Sequence, residues 1–187
     1  MKIGYCLTGS FCTFSKSLDA LRELVAAGHQ VTPIMSENAY KTDTRFGTAD
    51  YFKNELFSVT GNDIIHTIPQ AEPIGPKKMF DVLAIVPCTG NTLAKLAGGI
   101  TDTAVTMAVK SHLRNARPVV IGVSTNDALG GAAKNIGQLM NYKNYYFIPF
   151  SMDDCNHKPK SMVCDFTKTL HTIELAANGK EIAQKIF

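Results

Sequence analysis

Several large functional classes leave no mark on this sequence. Its five cysteines, Cys6, Cys12, Cys88, Cys155 and Cys164, are odd in number and form no CxxC pair. That pattern indicates neither a disulfide framework nor a zinc site, and no metal is expected. Free thiols point to the cytoplasm, and Cys6, in an apolar run, reads as a small buried hydrophobe. The net charge is only +3, with lysine and arginine scattered along the chain. No basic block and no interleaving of aromatic with basic residues is present, so neither nucleic acid nor a membrane surface is an expected partner. No apolar run approaches the roughly 20 residues that span a bilayer. Lys2 leads into Gly4 and Tyr5 rather than into the apolar core of a secretory leader. There is no internal repeat, no low-complexity segment and no GxGxxG dinucleotide fingerprint. What remains is ordinary globular composition, 45% apolar and 19% charged. In 187 residues this is enough for one core and one domain over residues 1–187.

The stretch from Phe80 to Asp102 organises the rest. Val82 to Val86 is a continuous, branched apolar run, as expected of a strand buried on both faces, with Pro87 as its expected end. Thr89, Gly90, Asn91 and Thr92 follow, and then Leu93, Leu96, Ala97, Ile100 and Ala104 recur at helical spacing. The unit is strand, polar loop, helix. In a parallel sheet such a loop faces the ligand crevice, and the helix start offers unpaired N–H groups to an anion. The same residues also suit a capped helix with no ligand, because Asn and Thr are ordinary N-caps.

The chain in order repeats this unit. Lys2–Leu7 reads as the first strand, broken by Thr8-Gly9-Ser10. A helix follows with Phe14, Leu18, Leu21, Leu24 and Val25 inward, stopped at Gly28. Val31–Met35 is the second strand and completes a right-handed βαβ unit. Ser36–Tyr40 leaves it at the same edge, and 41–47 is polar loop. Residues 50–59 read as a helix burying Tyr51, Leu56 and Val59, 64–68 as a short strand, and the Pro-rich 69–78 as loop. Thr101 is the expected cap of a helix burying Val105, Ala108, Val109 and Leu113. Residues 118–123 read as a strand, 124–127 as a third polar loop, 128–140 as a helix and 145–149 as a strand. Residues 151–160 read as loop, 163–177 as a helix with Phe166, Leu170, Ile173 and Ala176 in one stripe, and 180–187 as a last turn or two. The expected fold is α/β, a doubly wound (Rossmann-like or flavodoxin-like) parallel sheet flanked by helices. Thr8–Ser10, Pro87–Thr92 and Ser124–Asp127 converge at its carboxyl edge, which favours a phosphate-bearing cofactor.

At Pro87-Cys-Thr-Gly-Asn-Thr92, followed by Leu-Ala-Lys95, the chain resembles the flavoprotein family of FMN-binding cysteine and phosphopantothenoylcysteine decarboxylases. Thr8-Gly9-Ser10 resembles that family's first flavin loop. The resemblance runs from the first strand to the C-terminal helix and implies FMN as cofactor. It places Thr8, Gly9 and Ser10 at the phosphate or ribityl chain and Ser36 beside the flavin. Pro87, Thr89, Gly90, Asn91 and Thr92 fall in the phosphate loop, and Ser124, Thr125 and Asn126 border the ring or substrate. Within the family the chain is similar to a branch, found in sporulating bacteria, that works with an NADP-binding Rossmann-type partner subunit. That branch oxidises a dihydropyridine dicarboxylate to an aromatic pyridine in the mother-cell cytoplasm. The resemblance also implies a homo-oligomer.

Two departures bear on catalysis. The family's His before the central strand is replaced in Pro73-Ile-Gly-Pro76, and the nearest histidine, His66, stands seven residues earlier. Of the family's Pro-Ala-Met-Asn substrate motif, Val123-Ser-Thr-Asn126 keeps only the Asn. His66 and Asn126 are therefore the candidate catalytic residues. Lys41 and Arg45 are the candidate grips for a small dicarboxylate substrate, with solvated loop charge as the alternative reading. An FMN-dependent decarboxylase and a non-catalytic partner subunit with a vestigial flavin site stay open beside the oxidoreductase reading.

Overall fold

The branched apolar runs pair side by side, and their pairing order puts the polar loops together. In the computed structural model, which describes residues 1–182, the chain runs β1 (Lys2–Leu7), α1 (Phe14–Ala26), β2 (Gln30–Met35), α2 (Glu37–Lys41), α3 (Ala49–Thr60), α4 (Ile68–Ala71), β3 (Val82–Cys88), α5 (Gly90–Ala97), α6 (Ala104–Leu113), β4 (Val119–Thr125), α7 (Ala133–Met140), β5 (Tyr145–Phe147), β6 (Phe150–Asp154), β7 (Lys158–Cys164) and α8 (Thr169–Ala177). The strand order is β2-β1-β3-β4-β7-β6, with β5 also on β4. β2, β1, β3, β4 and β5 are parallel, with Ile3 opposite both Val31 and Val82, Leu83 opposite Val119, and Val119 opposite Tyr145. This is the α/β fold expected. Because β1 has β2 on one side and β3 on the other, the chain reverses its direction of winding between β1 and β3. The crevice at that reversal is where open α/β sheets bind ligands.

The core lies on both faces of β3, every residue of which is buried. α1 packs with α3 and α8, and α6 packs with α4 and α5, as two groups of flanking helices. α1 is tied to the sheet by more than apolar contact. The buried Ser17 hydroxyl donates to the Val86 carbonyl (2.5 Å), and the Tyr5 hydroxyl donates to the Ser17 carbonyl (3.0 Å).

Several local expectations are corrected. β3 runs through Pro87 to Cys88, with Val86–Pro87 cis. Pro87 has no N–H to give, but its carbonyl accepts from the Thr8 N–H (3.3 Å), and the ladder to β4 shifts register between Ile85 and Cys88. The cap of α6 is Thr103, not Thr101, in a reciprocal box with Thr106. α5 stops at Ala97 before Gly98-Gly99, which leaves Ile100 exposed. In α3 the buried aromatic is Phe52, edge-on to Phe14 at 4.9 Å, and Tyr51 faces solvent. The expected strand over 64–68 reduces to one bridge, Ile34 to Ile65. The Pro-rich stretch after it is α4 and a 3-10 turn (Glu72–Ile74), because Pro69 falls at the helix start, where a missing N–H costs nothing. α7 begins at Ala133, and the N–H groups of Gly130 and Ala132 turn back onto the Asp127 carbonyl.

The largest correction is at 150–164. The expected polar loop and helix start are an antiparallel hairpin, β6–β7. The Asp154 carboxylate accepts from the N–H groups of Asn156 and His157 (3.1 Å each), making the turn. β5 covers only Val119–Ile121 of β4, so Ser124 and Thr125 stay free to pair with Val163 and Met162 of β7. The C-terminal helix therefore starts at Thr169, after an Asp165-capped 3-10 turn. Of the last expected turn, 183–187 lies outside the described residues.

His112 gives a pH-dependent element of stability. It is 1% exposed, its Nε2–H donates to the Pro118 carbonyl (3.1 Å), and burial lowers its pKa to about 4. The folded state therefore holds it neutral. As pH falls from about 6.5 toward 4, the unfolded chain takes up a proton that the folded one refuses, and stability is lost across that window, by up to about 3 kcal/mol. Urea unfolding at pH 7 and pH 4.5 is expected to show a smaller acid loss for His112→Gln than for the parent. Equal losses would show that His112 titrates freely.

Candidate functional site

The polar loops meet at the carboxyl edge of β1, β3 and β4. The Thr8 hydroxyl donates to the Pro87 carbonyl (2.9 Å) and accepts from the Thr89 N–H (3.0 Å), which pins the first loop to the second. Thr89 caps α5, its Oγ1 accepting from the Thr92 N–H (3.3 Å) and lying 3.1 Å from the Thr92 hydroxyl. The first loop also reaches the third. The Ser10 and Ser124 hydroxyls are 2.8 Å apart, and the Thr13 hydroxyl donates to the Ser10 carbonyl (2.8 Å). Gly90 is required by close approach, since a Cβ there would stand 2.7 Å from Thr125 Oγ1 and 2.8 Å from an Asp127 carboxylate oxygen. The Thr125 hydroxyl donates to that same oxygen (2.6 Å).

These loops open onto a cavity of about 470 Å³ lined by Gly9, Ser10, Thr89, Ser124, Thr125 and Asn126 of the expected set, a size within the range of small-molecule sites. Thr8, Pro87 and Thr92 stand behind this lining as its supports. Asn91 sits at the exposed start of α5 and, like Gly90, contributes an N–H with no carbonyl inside the helix to take it. A Cβ on Gly9 would meet only the Phe11 ring, at 3.6 Å, so the backbone there is open to a ligand.

Other expected residues lie elsewhere. Ser36 caps α2, accepting from the Ala39 N–H (3.3 Å). His66 stacks on Tyr40 at 3.9 Å with Nδ1 near the Ile64 carbonyl (3.2 Å), and is not part of the cavity wall. Lys41 pairs with Glu37 one helical turn away (2.8 Å). Arg45 lies over the Phe46 ring at 4.8 Å, and it is Phe46 that lines the cavity. His66 and Lys41 thus stand outside the wall of this cavity.

The residues that the sequence did not single out come from α1 and the hairpin. Lys16 and Lys158 bring the cations, with Asp153, Ser161, Met162 and Cys12 beside them. Lys158 Nζ donates to Asp153 (2.8 Å), which raises the lysine's pKa. The Ser161 hydroxyl, 3% exposed, is 3.3 Å from both Asn126 Oδ1 and Asp153. A turn-forming Asp-Asp-Cys-Asn-His run between Met152 and Met162 was the available signal for this hairpin. Beneath the site, burial drives the Cys6 and Cys88 thiols well above their usual range and Cys164 up to about 12, so these three stay protonated.

A sequence model of the flavoprotein family matches residues 1–174. The B subunit of dipicolinate synthase from Bacillus subtilis (strain 168) is 45% identical over 181 residues, 97% of this chain and 90% of that protein. The crystal structure of the dipicolinate synthase B subunit from Bacillus halodurans C superposes with a TM-score of 0.90 at 41% identity, over 100% of this chain and 97% of that one. The FMN-dependent cysteine decarboxylase SpaF shares the fold at a TM-score of 0.72 and 20% identity, over 95% of this chain and 97% of its own. No described helix is long and apolar enough to cross a membrane.

Proposed function

The chain belongs to the flavoprotein family, and from that premise we propose that it binds FMN and serves as the B subunit of a dipicolinate synthase. In this reading it works with that enzyme's NADP-binding A subunit to oxidise dihydrodipicolinate to dipicolinic acid during sporulation, in the mother-cell cytoplasm, and assembles with copies of itself. The observation that carries the reading is the hydroxyl-lined cavity at the β1/β3 reversal.

The residues present fit the group. A flavin monophosphate needs short donors at its charged tail and a less polar wall at its ring. Gly9, Ser10, Thr89 and Ser124, with the unpaired N–H groups at the start of α5, are the residues that would hold the tail. Thr125, Asn126 and Met162 are those that would border the ring. Bound FMN supplies a two-electron acceptor for a hydride on a carbon beside nitrogen. The chain's own share is to orient the substrate and to keep it against the cofactor. No described histidine lines the cavity, which favours an oxidation that needs orientation over a decarboxylation that needs a His acid.

Two measurements test this. The purified chain is expected to show visible flavin absorbance, alone or after incubation with FMN. Dipicolinate formation is expected from the two subunits together and to fall at least about tenfold when this chain is left out. A flavin-free chain that still supports its NADP-binding partner would make it a structural component, and product formation that does not depend on this chain would end the reading.

A further inference from the structure

We propose, resting on the FMN reading above, that Lys16 and Lys158 form a two-cation clamp that selects a ligand with two carboxylates. The cavity wall contains these two cations, and no arginine of the described residues lines it. They come from separate elements. Lys16 is the third residue of α1, and Lys158 opens β7. Two ammonium groups on one cavity wall can each donate to one carboxylate.

Each cation has capacity left for a ligand. Lys16 takes part in no ion pair among the described residues. Lys158 is held by Asp153 at 2.8 Å, with the two side chains 51% and 34% exposed. A partly exposed pair of this kind is weak, because solvent screens it. An ammonium has three donors, so an arriving carboxylate can share the lysine without breaking the pair. Asp153 thus holds Lys158 over the cavity as a positioning residue. Ser161 completes the wall. Its buried hydroxyl donates to Asn126 Oδ1, a contact that does not use the Asn126 amide N–H groups.

The test is calorimetric titration of the full chain, with and without FMN, using pyridine-2,6-dicarboxylate and the monocarboxylate picolinate. The parent is expected to bind the dicarboxylate at least about tenfold more tightly, the value of one charge-assisted hydrogen bond. Lys16→Met and Lys158→Met are each expected to remove most of that preference, read as the ratio of the two probes' affinities within the same variant. Lys158→Arg is expected to retain it. Equal binding of the two probes by the parent, or a preference that survives both methionine variants, overturns the clamp. Failure to take up FMN overturns the FMN reading instead, and the FMN-free titrations then decide the clamp by themselves.

Discussion

Ser10→Ala is expected to raise the FMN dissociation constant about 10- to 100-fold while the melting temperature moves by no more than a few degrees. Ser10 is where the first loop touches the third, its hydroxyl 2.8 Å from that of Ser124. Without ligand that contact is a neutral, part-buried bond worth about 1 kcal/mol. Its loss is softened because the Thr13 hydroxyl stands 3.5 Å from Ser124 and can take over. With a phosphate in the cavity the same hydroxyl donates to a charged acceptor, worth about 1.5–3 kcal/mol. Affinity and stability are thus expected to separate, the first falling far more than the second. Fluorescence quenching of FMN on titration gives the affinity, and a thermal melt of the flavin-free chain gives the stability. Unchanged affinity would place the phosphate away from the first loop, and a matched loss of both would make Ser10 a structural residue only.

Gly75→Ala is expected to cost about 3 kcal/mol, a drop of roughly 6–12 °C in melting temperature. Its φ of −72° suits any residue, so the loss comes entirely from contact. A Cβ there would lie 2.3 Å from the Ser111 carbonyl oxygen and 2.7 Å from Arg114 Cδ. A backbone oxygen inside α6 cannot swing aside as a side chain can. The Asn115 amide also donates to the Gly75 carbonyl (2.8 Å), so the two segments are held together on both sides. Ala71 and Ile74, each 0% exposed, anchor this stretch in the core. Thermal melts of parent and variant decide it. A variant as stable as the parent would mean that 68–75 rides loosely on α6.

That stretch also shows how far local patterns reach. Three prolines and a glycine read as loop, because nothing in the sequence nearby says that Ile74 is needed by the core. Pro69 and Pro73 instead fall at the starts of short helical turns, and burial of Ile74 decides the outcome. The hairpin over 150–164 was hidden for a related reason. Its outer positions are polar, so the alternation at Met152, Met162 and Cys164 is short. Only the free length of β4 beyond β5 makes it a strand partner.

By itself, the sequence determined the parallel α/β sheet and its first two strands, and it singled out the segments 8–10, 87–92 and 124–126, although Pro87, Cys88, Ser124 and Thr125 prove to be strand residues. These rest on local chemistry: branched runs prefer buried strands, glycine and hydroxyl residues end them, and neither preference depends on distant partners. The tertiary structure alone decided which cations reach the cavity that these segments share. Lys41 and Arg45 are near the site in sequence but are held by Glu37 and Phe46. Lys16 and Lys158 are far apart in sequence and line one cavity because α1 follows β1 and β7 pairs with the end of β4. A side chain's reach is set by the element that carries it, and the placing of elements is a property of the packed core as a whole.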